Sequence, residues 1–165
     1  MAISDAIQSF LAETGMSHRE LAEKLHFDRS FITKVKNGER KWPEAHDAKL
    51  AGLSWKLALH LADERTGGFI SNVLRLIPNM DLHPSAMKET LLRELHEAIN
   101  HLEELRMARH HDREKLREQA ETVWFEIKDV IDKGLVMLGV IEEEFELDRE
   151  RLIQRHKMRV KENEQ

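Results

Sequence analysis

The stretch Ser17–Pro43, SHRELAEKLHFDRSFITKVKNGERKWP, predicts two short amphipathic helices joined by a tight turn and followed by a basic loop. Ser17 and Glu20 form a capping-box pattern at the start of the first helix, in which each residue bonds the other's backbone N–H. Leu21, Ala22 and Leu25 follow at three- and four-residue spacings, as expected of a helix with one buried face.

The second helix of the pair is marked at both ends. Asp28 is placed to cap its start, and Asn37-Gly38 to end it, because glycine allows the chain to turn left-handed there. Upstream, a helix is expected from Ser4 to Thr14, capped by Ser4 and stopped by Gly15. The apolar faces of these three helices are predicted to hold Ile3, Ile7, Phe10, Leu11, Leu21, Ala22, Leu25, Phe31, Ile32 and Val35.

The charge of this stretch differs from that of the whole chain. The chain carries a net charge of −5, but residues 28–41 hold five Lys or Arg against two acidic residues, a local +3. Residues 65–165 hold 17 Lys or Arg against 21 Asp or Glu, a local −4. DNA responds to charge within roughly 10 Å, so the local positive patch decides whether it is attracted.

The run LAEKL, then DRSFITKVKNG, then a basic loop ending in Pro43 resembles the Cro/cI-type (XRE family) helix-turn-helix proteins. The resemblance covers residues 3–62 and weakens after Pro43. It implies a five-helix, lambda-repressor-like DNA-binding domain over residues 1–64. The second helix of the motif, residues 29–37, is then expected to enter the major groove.

By position, the resemblance implies two sets of DNA-contacting residues. The set expected to read bases is Arg29, Ser30, Thr33 and Lys34. The set expected to contact phosphates is His18, Arg19, Asn37, Arg40 and Lys41.

Two residues depart from the family's pattern. His26 stands at the turn position usually held by glycine, and histidine tolerates a left-handed backbone better than β-branched residues do. Trp42 is also unusual, and two roles are open for it: stacking on the sugar–phosphate backbone or packing against the fourth helix.

Composition predicts an all-α protein. The 165 residues include only three prolines and seven glycines, are 41% hydrophobic and 35% charged, and contain no cysteine. We expect a connector with one short helix at residues 65–84 and a helical domain at residues 85–165. The absence of cysteine, of a signal-peptide pattern and of an apolar run of about 18–20 residues favours a cytoplasmic protein, nucleoid-associated when bound to DNA.

The C-terminal region has coiled-coil-like spacing that is interrupted once. Apolar residues at three- and four-residue intervals run from Leu91 to Leu105, stop in the polar run around Arg109–Asp112, and resume from Leu116. A single helix over this region would be about 115 Å long, so we favour a hairpin turning near His110–Asp112, with a longer continuous helix as the alternative. The broad apolar stripe predicts dimerisation or higher homo-oligomerisation through Leu91, Leu95, Leu102, Val123, Trp124, Ile127, Ile131, Leu138 and Ile141. An intramolecular core without a partner is the other interpretation.

No enzymatic chemistry is expected. Glu97 with His101, and His110-His111-Asp112, lack the spacing of a recognised zinc site, and the Glu142–Glu144 carboxylates are expected on a solvated face. No glycine-rich phosphate loop is present, so neither a cofactor nor a metal is expected.

The sequence therefore predicts a sequence-specific transcriptional regulator, a repressor of prophage or bacterial type, that binds an inverted-repeat operator as a dimer. Two alternatives remain. One is a protein-interaction module (an antitoxin, inhibitor or adaptor) whose C-terminal helices bind another protein. The other is a non-specific architectural DNA binder, against which the net negative charge argues.

Overall fold

A computed structural model describes residues 3–105 and 112–163, and within those ranges the protein is all-helical, with no strand. A short 3-10 turn, Glu44–His46, separates the third and fourth α-helices. The α-helices are α1 Ile3–Thr14, α2 His18–Leu25, α3 Arg29–Lys36, α4 Asp47–Ala51, α5 Trp55–Thr66, α6 Val73–Leu76, α7 Pro84–Glu104, α8 Arg113–Glu144 and α9 Arg149–Asn163.

The chain divides into two compact units, Met1–Asn72 and Val73–Gln165. The division falls inside the expected connector, residues 65–84. Unit 1 contains α1 to α5, and unit 2 contains α6 to α9.

Unit 1 has a core formed by one face of each of its helices. Ile7, Leu21, Ile32 and Leu50 are fully buried at its centre, where α1 and α3, and α2 and α3, pack together. All ten residues predicted on the apolar faces of the first three helices are buried, which confirms the helical phases read from the sequence.

The start of α1 differs from the expected one. The helix already includes Ile3, so Ser4 lies inside it rather than at its cap. Burial of the Ile3 side chain in the core stabilises this extra residue of helix. Gly15 follows the helix with a φ of +67°, a conformation that suits glycine, so the predicted stop is confirmed.

A bidentate ion pair between Arg65 and Asp47 joins the end of α5 to α4. Arg65 Nε and Nη2 donate to the two carboxylate oxygens of Asp47 at 2.8 and 3.2 Å. These hydrogen bonds raise the pKa of the Arg65 guanidinium. The paired geometry fixes the orientation of the last turn of α5.

In unit 2, α7 and α8 pack side by side and run antiparallel. Lys133 Nζ lies 2.7 Å from Glu94 Oε1, and His101 Nε2 lies 3.9 Å from Glu126 Oε1. The partner on α8 moves toward the N-terminus as the residue on α7 moves toward the C-terminus, which requires opposite helix directions. The turn was predicted near His110–Asp112, and residues 106–111 lie outside the described residues. Asp112 caps α8, accepting a hydrogen bond from the Glu114 N–H at 3.1 Å.

The predicted apolar seam of α7 and α8 is split between two surfaces. Val123 is buried, and Leu91 and Ile141 are half-buried. Leu95, Leu102, Trp124, Ile127, Ile131 and Leu138 remain exposed to solvent. The reason is that charged side chains, including Glu94 and Lys133, occupy part of the line along which α7 faces α8.

After the half-buried Arg149, helix α9 is exposed as far as residue 162. Asp148 caps it by accepting a hydrogen bond from the Arg151 N–H at 3.0 Å. Among the described residues, none of the helices combines the length and apolar character that crossing a membrane requires.

Candidate nucleic-acid interface

The start of α2 has the reciprocal capping box that the sequence predicts. The Glu20 N–H donates to Ser17 Oγ at 3.2 Å, and the Ser17 N–H donates to Glu20 Oε2 at 2.8 Å. The Ser17 backbone amide, and then its hydroxyl, lower the pKa of the Glu20 carboxyl by hydrogen bonding to its charged form. The cap sets the direction in which His18 and Arg19 leave the helix.

The turn between α2 and α3 depends on His26. This residue has φ 58° and ψ 48°, the left-handed conformation expected from its position. The next amide, that of Phe27, then bonds back to the Ala22 carbonyl at 2.9 Å, closing the end of α2.

Asp28 occupies the N-cap position of α3, but its side chain makes no capping hydrogen bond, so the predicted role of that side chain is wrong. Its backbone carbonyl still accepts the Phe31 N–H at 3.0 Å. The exposed carboxylate lies at the mouth of a groove described below.

Helix α3 has one buried and one exposed face. Phe31, Ile32 and Val35 are buried in the core of unit 1, which leaves Arg29, Ser30 and Lys34 exposed on the outside of the helix. The hydroxyl of Thr33, a half-buried residue, donates to the Arg29 carbonyl at 3.0 Å. Among the four residues predicted to read bases, Thr33 therefore already uses its hydroxyl in a hydrogen bond within its own helix.

An open groove of about 560 Å³ runs beside α3 and brings together residues from both predicted sets. Ser30 and Lys34 line it from the helix, and Arg40 lines it from the basic loop. Its remaining lining residues are His26, Phe27, Asp28, Phe31, Pro43 and His46.

Aromatic rings give this groove a rigid wall. The Phe27 and Phe31 rings are stacked with centroids 4.5 Å apart, and the Arg40 guanidinium lies 4.9 Å from the Phe31 ring centroid. The cation–π contact holds the start of the basic loop next to α3. Sequence reasoning missed Phe27 and His46, because nothing in their spacing distinguishes a groove wall from ordinary core.

Two of the predicted phosphate-contacting residues form hydrogen bonds to acidic side chains. Arg19 Nε bonds Glu23 Oε1 at 2.8 Å, and Asn37 Nδ2 donates to Glu39 Oε1 at 3.0 Å. The Glu23 carboxylate raises the pKa of the Arg19 guanidinium and offsets its charge. Arg40 and Lys41 are exposed, while His18 is half-buried.

Trp42 packs inside unit 1. It is 5% exposed and contacts Phe27 edge-on at 5.5 Å between ring centroids, with Phe31 and His46 nearby. Of its two possible roles, packing is therefore the one observed, though against the 3-10 turn that precedes α4. Its indole Nε1 is buried and, among the described residues, has no hydrogen-bond partner.

A second contact missed by sequence reasoning supports the end of α3. Gln8 Nε2 on α1 donates to the Lys36 carbonyl at 2.9 Å. Carbonyls in the last turn of a helix have no partner within the helix, so this bond fixes the point from which the basic loop departs.

The carboxylates of unit 2 also form a cluster. Oxygens of Glu94, Glu97 and Glu126 lie within 4.8 Å of one another, and His101 is next to Glu126. Lys133, at 2.7 Å from Glu94, supplies positive charge to this cluster. The contact between His101 and Glu126 makes this histidine part of the α7–α8 packing. His110 and His111 lie outside the described residues.

Comparison of the chain with protein-family models, with curated protein sequences and with solved structures gives no significant match.

Proposed function

We propose that unit 1 binds double-stranded DNA, with α3 in the major groove, and that the protein is a sequence-specific transcriptional regulator. Residues 3–62 resemble the Cro/cI-type helix-turn-helix family. The proposal therefore includes a lambda-repressor-like arrangement of α1 to α5. The form of regulation that this resemblance implies is repression of prophage or bacterial genes.

The observation that carries the proposal is the exposed face of α3. A helix can read base edges only if the side chains at its start are free of its own core. Arg29, Ser30 and Lys34 meet this condition, because the buried Phe31, Ile32 and Val35 hold the opposite side of the helix.

Charge around α3 supports the same proposal. Arg40 and Lys41 are exposed on the loop that follows α3, and Arg40 shares one groove with Lys34. Arginine and lysine suit the two acceptors of guanine in the major groove, worth about 1–3 kcal/mol for a good bidentate pair. We assign base reading to Arg29, Ser30 and Lys34, with Thr33 next to them, and phosphate binding mainly to Arg40 and Lys41.

The test separates these two roles. A preferred site is first selected from a random duplex library, and binding to it and to random duplex is then measured at several salt concentrations. Arg29→Ala should lose affinity for the selected site and relax specificity at one base position. Lys41→Ala should weaken binding to all duplexes and lower the salt slope by about one.

Arg155→Ala, which removes an exposed cation from α9 in unit 2, is the control and should bind like the wild type. Equal losses on selected and random duplex for both Arg29→Ala and Lys41→Ala would contradict the assignment. Failure of the library to yield any enriched sequence would contradict sequence-specific binding.

An inverted-repeat operator would require two copies of unit 1. Two linked modules gain affinity through effective concentration, because the second binding event becomes intramolecular. The proposal therefore includes a homodimer, in which unit 2 joins the two chains and each copy of unit 1 binds one half-site.

Exposed apolar residues on α7 and α8 also favour a second candidate function, that of a protein-interaction module such as an antitoxin, inhibitor or adaptor. In that case a different protein would cover these residues. A stoichiometric heteromeric complex that dissolves the homodimer would favour it, and a stable homodimer with no such complex would count against it.

A further inference from the structure

Two heptad seams on α7 and α8 face solvent. On α7, Leu92, Leu95, Ile99 and Leu102 are spaced by three, four and three residues. On α8, Trp124, Ile127, Ile131, Gly134 and Leu138 are spaced by three, four, three and four. This spacing is the one that packs helix against helix in coiled coils and bundles.

Both seams lie on the same side of the α7–α8 pair. The line of contact is marked by Glu94 and His101 on α7 and by Glu126 on α8. In each helix the next residue, about 100° further round the axis, belongs to a seam: Leu95, Leu102 and Ile127. A two-fold axis perpendicular to the plane of the two helices exchanges antiparallel helices and leaves each face of the pair in place. Residues at the same angle from the contact line on α7 and on α8 therefore lie on the same face of the pair.

The opposite side of the pair has a different character. The residues one position before those that mark the contact are Arg93, Asn100 and Phe125, and two of the three are polar. On this side α7 is polar, whereas α8 carries the exposed Phe125, whose ring contacts Trp124 edge-on at 5.4 Å between centroids. We call the side that carries both seams the seam face and define it by Leu92, Leu95, Ile99, Leu102, Trp124, Ile127, Ile131 and Leu138.

The seam face is large enough for a stable interface. Its eight residues are 36% to 58% exposed. At roughly 150–200 Å² for a whole large side chain, they expose on the order of 600 Å² per chain. That is at the top of the range for the largest patch of a typical monomer. Two such faces together bury about 1,200 Å², the lower limit for specific, stable interfaces.

We propose that the seam face of one chain packs on the seam face of a second copy, forming a four-helix bundle. A face that is apolar throughout and carries heptad spacing in both helices is self-complementary, as a two-fold interface requires. Helix α9 does not cover it, because Leu152, Ile153, Met158 and Val160 are themselves 38% to 59% exposed. The inference deepens the proposed function by identifying the surface that joins the two DNA-binding units, while its test needs no DNA.

The experiment measures the mass of the full chain by light scattering over a range of concentrations. The wild type should show twice the monomer mass of 19.4 kDa. Leu95→Glu and Ile131→Glu should each weaken dimerisation at least about 100-fold, because they place a charge in the apolar interface. Met158→Glu, a matched change of an exposed apolar residue on α9, outside the seam face, should remain dimeric.

A second measurement avoids charged substitutions that could unfold the protein. Because the chain has no cysteine, Leu95→Cys and Met158→Cys each introduce a single thiol. The thiol at 95 should react at least ten times more slowly than the one at 158 at high protein concentration, and this protection should disappear on dilution.

Three results would overturn the proposal: a monomeric wild type at high concentration, an assembly of more than two chains, or equal effects at positions 95 and 158. A monomer that still binds a selected DNA site would leave the proposed function standing. A dimer that binds no DNA would defeat the proposed function and leave the seam interface intact.

Discussion

Ser17 holds the first turn of α2 through its hydroxyl, which accepts the Glu20 N–H. Ser17→Ala should lower the free energy of unfolding of unit 1 by about 1 kcal/mol, the usual value of a lost N-cap. Urea unfolding followed by circular dichroism measures this change. Ser9→Ala, an exposed serine within α1, is the control and should be neutral or slightly stabilising. A loss no larger than that of the control would contradict the capping role.

The same cap has a pH dependence. The pKa of the Glu20 carboxyl is lowered in the folded chain, first by the Ser17 backbone amide and then by its hydroxyl. Its contribution to stability is therefore present above the ordinary Glu pKa of about 4.3 and is lost as pH falls through the lower, folded value. In Ser17→Ala the backbone bond remains, so an NMR titration should show the Glu20 pKa rising only part of the way to its ordinary value.

Trp42 combines a large buried ring with a buried N–H that has no partner in the described part of the chain. Trp42→Phe should therefore change stability little, since the loss of ring contact is offset by removal of an unsatisfied donor. Trp42→Ala leaves a cavity beside Phe27 and Phe31 and should cost about 3–5 kcal/mol. Thermal and urea unfolding of the two variants compare these costs. Equal destabilisation by both would show that the indole N–H is satisfied in solution.

At the scale of helices, α7 and α8 are joined in part by buried charge. Glu94 and Lys133 side chains are 7% and 13% exposed, and their ion pair spans the two helices. Lys133→Met should destabilise unit 2 by on the order of 2–4 kcal/mol, because it leaves the buried Glu94 carboxylate with only the exposed Arg93, 3.5 Å away, as an ion-pair partner.

The double variant Glu94→Leu with Lys133→Met is the control for this prediction. It should recover most of the lost stability, since apolar residues at both positions leave no uncompensated charge. Failure of the double variant to recover would mean that the methionine is poorly packed at this position and that the charge is not responsible.

Sequence patterns predicted the helices of unit 1 well because their apolar residues share one phase. Ile7, Leu21 and Ile32 fall on the buried faces that their spacing indicates. On α7 the predicted seam only partly faces α8: Leu95 and Leu102 are exposed, and Glu94 lies in the contact. A heptad pattern shows that an apolar stripe needs a partner, but it does not say which helix supplies it.

The exposed residues of the candidate interface could be predicted from the sequence, but the contacts that support them could not. Arg29, Ser30 and Lys34 could be placed by counting from the turn, because a cap and a glycine fixed both ends of α3. The contact of Gln8 with the Lys36 carbonyl could not be found, since it joins residues far apart in sequence. Engagement of Arg19 by Glu23 was in principle readable from their four-residue spacing.

At the scale of the whole molecule, each unit has its own buried residues, and unit 1 contains every residue assigned to DNA. A fragment of residues 1–72 should therefore unfold cooperatively in urea. It should bind the selected DNA site at least about 100-fold more weakly than the full chain, because the second module is no longer linked. Gel-shift titration at fixed salt measures the ratio. Equal affinities would show that unit 2 contributes nothing to binding.

The distribution of tryptophan gives the chain a built-in optical reporter. With no tyrosine and three tryptophans, its ultraviolet emission comes almost wholly from Trp42, Trp55 and Trp124. The first two are each 5% exposed in unit 1, whereas Trp124 is 51% exposed on the seam face. The red part of the spectrum therefore belongs to unit 2. A blue shift with rising protein concentration would record the covering of a single indole, with no label attached.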